Sequence, residues 1–262
     1  MKTSTVKLAG IDVEVFEAGS GNALLWLHGA NGFDPAHPFV KPFAERRRLI
    51  VPSHPGFGKS GLPLWLDRPD DIAVIYLELL DRLGLARTAI VGCSLGGWIA
   101  AEMASLAPER FTKIVLVGPG GVKVGPSDKL DIPDIWAMPQ EDVNKLLFHD
   151  PQRMATDPAK FSDEQLSILL RNRETTALLT WEPWMHNPKL KHRLHRVTAP
   201  TLFVRGASDG LMTASYVEAY AKLVPGARVA TIAASGHAPH IETPAAFAAA
   251  VFPFLDAPGS AR

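Results

Sequence analysis

The densest chemistry in this chain of 262 residues lies in Gly92-Cys93-Ser94-Leu95-Gly96. An apolar run (89–91) leads into it, and an Ala-rich helical pattern (95–107), closed by Pro108, leads out. A serine between strand and helix occupies a sharp turn, and glycines two residues before and after it prevent a collision across that turn. The turn lifts the Ser94 hydroxyl above the strands, and the Leu95 N–H at the helix start can face a developing oxyanion. Cys93 reads as a small buried side chain, because the turn presents Ser94 instead. A serine hydroxyl is a weak nucleophile by itself and needs a base, with an acid to orient that base. Two later loops offer such groups. Asp209 follows the apolar run 201–204, and His237 stands in Ser235-Gly236-His237-Ala238-Pro239-His240. His240 is a second imidazole in reach of the same role, without the Gly-His context.

Positioning these groups requires a sheet. Residues 11–17 alternate apolar and polar, as a strand with one wet face does. The runs 23–27, 49–51, 89–91, 114–117 and 201–204 are almost wholly apolar, which suits strands buried on both faces of a parallel sheet. Helical patterns separate them: 72–83 closed by Gly84, 95–107, and 215–223 closed by Pro225. This alternation argues for an α/β fold. It lapses between 119 and 197, a proline-rich stretch with a helical patch at 163–173. We read residues 119–197 as a helical cap inserted into a core built from 1–118 and 198–262. The tail 257–262 is expected to be mobile.

The elbow and its flanks resemble the α/β-hydrolase family over almost the whole chain. Leu24-Leu25-Trp26-Leu27-His28-Gly29 is similar to the family's strand followed by His-Gly, which implies Ala30 as the second oxyanion N–H, with His28 propping that loop. Pro52-Ser53-His54-Pro55-Gly56-Phe57-Gly58-Lys59-Ser60 resembles the family's Asp-x-Pro-Gly-x-Gly-x-Ser loop. Ser53 replaces the usual aspartate, so that loop is expected to be held differently. The family order of serine, acid and histidine implies Ser94, Asp209 and His237 as the triad. Ser94 argues against the dehalogenase and epoxide-hydrolase branches, whose nucleophile is aspartate.

Other signals fail on inspection. Gly58-Lys59-Ser60 ends like a phosphate loop, but the required first glycine is Ser53 and Pro55 removes a donor. Gly118-Pro119-Gly120-Gly121 breaks the dinucleotide pattern at Lys123. His192 and His195 lack accompanying carboxylates and read as a solvated helix rather than a metal site. One cysteine excludes a disulfide framework. With 27 basic and 27 acidic residues, no net field favours nucleic acid or an anionic membrane. The first seven residues hold no signal-peptide core, and no run nears the ~20 apolar residues that span a bilayer. A cytoplasmic protein with a small-molecule substrate and no metal or organic cofactor is expected; a homo-oligomer stays open.

The expected reaction is hydrolysis of a small carboxylic ester through an acyl-enzyme on Ser94. Trp136, Trp181 and Trp184, with Met138, Phe148 and Met185, would line an apolar pocket above it. Two alternatives stand beside it. One is a C–C bond hydrolase of the meta-cleavage-product type, which uses the same triad and a similar cap; there the residues after His-Gly are commonly serine and glycine, and Ala30-Asn31 departs from them. The other is a low-turnover ligand receptor on the same fold.

Overall fold

The computed structural model describes residues 1–154 and 157–258. Eight strands form one sheet in the order β1-β2-β4-β3-β5-β6-β7-β8. They are β1 (Lys2–Leu8), β2 (Ile11–Ala18), β3 (Ala23–Leu27), β4 (Arg48–Pro52), β5 (Thr88–Cys93), β6 (Phe111–Val117), β7 (Thr201–Gly206) and β8 (Arg228–Ile232). The β1–β2 and β2–β4 pairs are antiparallel and the others parallel. The fold is thus the expected α/β arrangement with a mostly parallel sheet. Its helices are α1 (Val40–Ala44), α2 (Pro69–Arg82), α3 (Leu95–Leu106), α4 (Gln140–Leu147), α5 (Pro151–Met154), α6 (Asp163–Thr180), α7 (Ala214–Ala221), α8 (Pro239–Glu242) and α9 (Pro244–Asp256).

The apolar runs still obey a period of two. Leu25 and Leu27 join Ile50, Ile90, Ile114, Leu116 and Phe203 in a core under α2, α3 and α7. Leu24 and Trp26 join Leu49, Val51, Val91, Val115, Val117 and Val204 in a second core under α1 and α9. Both faces are covered, so both registers are apolar.

β1 went unread in the sequence. It is an edge strand whose residues are mostly exposed or half-buried, so it carries little apolar signal. Between β6 and β7 lie α4, α5, α6 and three single 3₁₀ turns, Pro158–Lys160, Leu190–His192 and Leu194–Arg196. The helix α6 runs 18 residues, beyond the expected 163–173, and starts from a Ser162–Gln165 capping box. His192 and His195 sit exposed on 3₁₀ turns instead of the expected helix. Of the tail expected to be mobile, residues 259–262 lie outside the described residues.

Candidate active site

Ser94 joins β5 to α3 with φ 53° and ψ −113°, a conformation that costs a non-glycine residue energy and that the surrounding backbone must enforce. Ser94 N–H donates to Val117 O at 2.8 Å, and Trp98 N–H donates to Ser94 O at 3.1 Å. The glycines flanking it are steric necessities. A Cβ on Gly92 would stand 2.4 Å from Gly96 O, and one on Gly96 would stand 2.3 Å from Leu27 O. Cys93 is buried, and desolvation pushes its thiol pKa well up, so it offers no thiolate.

His237 and Asp209 meet beside this turn. His237 Nδ1 lies 2.9 Å from Asp209 Oδ2. The other carboxylate oxygen, Oδ1, accepts from Leu211 N–H at 3.0 Å and Met212 N–H at 2.8 Å, which fixes the acid's orientation. Burial pulls the imidazolium down in pKa. The Asp209 charge and hydrogen bond, with the Glu242 charge, outweigh burial and hold His237 above its usual value. Gly118 ties this pair to Ser94, whose N–H is held by the preceding residue, Val117. A Cβ on Gly118 would meet the His237 ring at 3.0 Å and Asp209 Oδ2 at 3.3 Å. His237 Nε2 is buried without a hydrogen-bond partner. The hydroxyl-to-imidazole link is therefore open here, as such links often are before substrate draws them together. His240, the competing imidazole, instead packs among Trp26, Phe39 and Phe247, where burial lowers its pKa to about 3.

The other wall carries Gly29, whose added Cβ would touch Ser94 Cβ at 3.4 Å. Ala30 follows it, while Leu95 opens α3 at the positive end of that helix. A stack of two neutral histidines supports this wall. His28 Nδ1 donates to Gly29 O (2.7 Å), and His28 Nε2 accepts from His54 N–H (3.0 Å). His54 Nε2 donates to His28 O (2.9 Å), leaving Nδ1 to accept from the Tyr76 hydroxyl (2.7 Å). This network assigns one tautomer to each ring. Burial lowers the His28 pKa to about 4 and that of His54 well below normal, so both stay neutral and the frame is fixed.

A family model described as "Alpha/beta hydrolase family" matches residues 24–250. The chain belongs to the alpha/beta hydrolase family. Among its relatives, a 2-hydroxy-6-oxo-6-phenylhexa-2,4-dienoate hydrolase of Comamonas testosteroni is 31 % identical over 72 % of this chain, which spans 65 % of that protein. A 2-hydroxy-6-oxononadienedioate/2-hydroxy-6-oxononatrienedioate hydrolase of Burkholderia vietnamiensis is 32 % identical, covering 74 % of this chain and 73 % of its own length. A solved esterase from Thermogutta terrifontis superposes with TM-score 0.77 at 20 % identity, over 98 % of each chain. A meta-cleavage product hydrolase from Pseudomonas fluorescens IP01 gives the same TM-score at 18 % identity, over 97 % of each. These two likenesses show the fold alone.

Within this alpha/beta hydrolase, several residues around the site escaped the sequence reading. Asn172 on α6 donates to Asn31 O and accepts from Gly58 N–H, both at 3.1 Å. Arg171 grips Gly58 O (2.8 Å) and Ser60 O (2.5 Å), and Thr175 donates to Gly56 O (2.9 Å). The 53–60 loop, lacking the aspartate, is thus held from α6 and by Ser60 Oγ, which donates to Ser53 O (2.7 Å). Glu242 bridges Gly236 N–H and His149 N–H, both at 2.8 Å. Nothing in sequence spacing pairs these residues, because most of their partners are backbone groups far along the chain and no motif marks the shorter Ser60–Ser53 and Glu242–Gly236 links.

Trp181 and Trp184 pack edge to face, with ring centroids 6.1 Å apart. Trp181 is 60 % exposed and lines an open groove with Arg68, Leu178 and Pro183. Trp184 lines a small cavity with Val122, Ile132 and Met185. Trp136 is half-buried under the Arg173 guanidinium. Among the described residues, no group of three or more His, Cys, Asp or Glu side chains is placed to hold a metal. Among the described residues, no helix is long and apolar enough to cross a membrane.

Proposed function

We propose that this alpha/beta hydrolase cleaves its substrate by nucleophilic attack of Ser94 on a carbonyl carbon. His237 takes the Ser94 proton through Nε2, and Asp209 holds the resulting imidazolium through Nδ1. The N–H groups of Ala30 and Leu95 receive the oxyanion; losing one such donor would cost about 2.7–4 kcal/mol in the barrier. His237 then protonates the leaving group and activates the water that frees Ser94. The observation that carries this reading is the His237–Asp209 contact beside a serine in a strained left-handed turn. Residues 119–197 are proposed as the cap, because α6 hydrogen-bonds to the loop after Ala30 and the last residue of α4 to the loop carrying His237.

The favoured bond is the C–C bond of a 2-hydroxy-6-oxo-dienoate, the substrate type named for the relatives described above at 31 and 32 % identity. Its cleavage balances at such a site. The dienol first shifts its 2-hydroxyl proton to C5, giving the 2,6-dioxo tautomer; after attack at the C6 ketone, the electrons of the C5–C6 bond pass into the conjugated 2-oxo acid, so carbon leaves as a dienolate that takes up a proton. Ester hydrolysis is the second reading, supported by the same serine chemistry on the same fold. Steady-state turnover of 2-hydroxy-6-oxo-6-phenylhexa-2,4-dienoate should exceed that of p-nitrophenyl acetate in kcat/KM. Ser94→Ala should lower both by about 10⁴-fold or more. The reverse ranking would favour the ester; an undiminished mutant would overturn the serine reading itself.

A further inference from the structure

The residue Glu242, which the proposed mechanism does not use, is buried at the end of α8 and spends both carboxylate oxygens on backbone N–H groups of two different segments. Oε1 holds Gly236, immediately before His237; Oε2 holds His149, two residues beyond α4. The stretch 146–149 is joined to the site at three further points. Leu147 O accepts from His237 N–H, and Leu146 O accepts from Gly210 N–H, next to Asp209. His149 Nδ1 lies 2.8 Å from Ser208 Oγ, on the other side of Asp209. The fit is tight: a Cβ on Gly236 would stand 2.2 Å from Leu147 O, and one on Gly210 would stand 3.2 Å from Leu146 O.

We propose that Glu242 is a positioning residue, clamping the His237 loop to the strap 146–149 so that histidine and aspartate are held as one unit by the region between β6 and β7. The inference rests on His237 being the base. Its physical logic is that a buried carboxylate accepting two N–H bonds is a stronger tie than a neutral acceptor. The strap then fixes Nε2, which has no partner of its own, in the direction from which substrate and Ser94 must approach. The clamp also places a negative charge near the imidazole. The titratable groups facing His237 are Asp209 from the β7–α7 loop, Glu242 and His240 from α8, and His149 from the strap; among them Glu242 adds its charge to that of Asp209 in favouring the imidazolium.

Two variants separate geometry from charge. Glu242→Asp keeps the charge but shortens the reach, and Glu242→Gln keeps the length but turns an amide N–H₂ toward one donor. In both, kcat should fall about 10- to 100-fold with KM altered far less. The acid limb of the kcat/KM–pH profile should move to lower pH in Glu242→Gln and stay in place in Glu242→Asp. The same shift should appear in an NMR titration of the His237 ring, read without turnover. Circular dichroism confirms folding of each variant. Wild-type kcat in both, or an unmoved His237 titration in Glu242→Gln, overturns the positioning role. Failure of the base assignment is distinguishable, because His237→Ala would then retain activity in the same assay. If Glu242→Gln does not fold, Glu242→Asp decides alone: a fall in kcat with the His237 titration in place supports the clamp, and wild-type kcat overturns it.

Discussion

The sheet and the stretch between β6 and β7 are buried by opposite means. In the sheet, β3, β5, β6 and β7 bury alternate side chains in two apolar cores, and every ladder bond is backbone to backbone. In the stretch after β6, the helix α6 buries Asn172, Thr175, Thr176 and Thr180, with Leu179 the sole large apolar residue among its buried positions. Those side chains bond to carbonyls and an N–H of the loops around Ser94, or back to their own helix. The first region is specified by hydrophobicity, which is non-directional and strong. The second is specified by directional bonds that each contribute little net stability but fix geometry.

The comparison breaks first at the elbow. Gly96→Ala places a methyl group within 2.5 Å of two backbone carbonyls, Leu27 O and His28 O. It should cost about 3 kcal/mol or more and remove most folded protein, read by urea unfolding. A second effect should come from acid. His28 and His240 are held below their unfolded pKa of about 6.5, to about 4 and about 3. Their contribution is therefore complete above pH 6.5 and is lost as pH falls toward those values, by about 1.4 kcal/mol per pH unit for each group. His237 has the opposite sign: its raised pKa adds stability at low pH that is lost as pH rises through that value. With His54 depressed as well, three lowered histidines against one raised predict a falling unfolding midpoint between pH 6.5 and 4. A flat profile would contradict the neutral His28–His54 frame.

The smallest effect on stability should fall in the second region. Asn172→Ala strands Gly58 N–H and Asn31 O and should cost about 1–3 kcal/mol. Its kcat/KM should nevertheless drop about 10-fold, because the loop carrying Ala30 loses a tether. Equal loss in both measurements, scaled only by the fraction folded, would erase the distinction between the two regions.

The same distinction explains what could be read in advance. Ser94 announces itself because steric necessity writes glycines at 92 and 96, and the apolar residues 89–91 and 98–101 flank them. Asp209 stands just after the buried strand β7 and His237 in the loop after the mostly exposed β8, and the structure brings them together. Helix α6 stopped short at 173 in the sequence because its buried face is threonine and asparagine, which leaves no apolar period to follow. Glu242 and His54 were illegible as functional groups for a related reason: they act on main-chain atoms 93 and 26 residues away, and such bonds leave no spacing rule. The tryptophans could not be placed from sequence, since burial or exposure of a large ring is decided by neighbours rather than by its own type.

The central claim is that Ser94 is the nucleophile and His237 its base. Peptide mapping after reaction with a fluorophosphonate tests it most directly. The account predicts one adduct per chain, on Ser94, formed at least 100-fold more slowly in His237→Ala. An adduct on another residue, or labelling at the wild-type rate without His237, would contradict it.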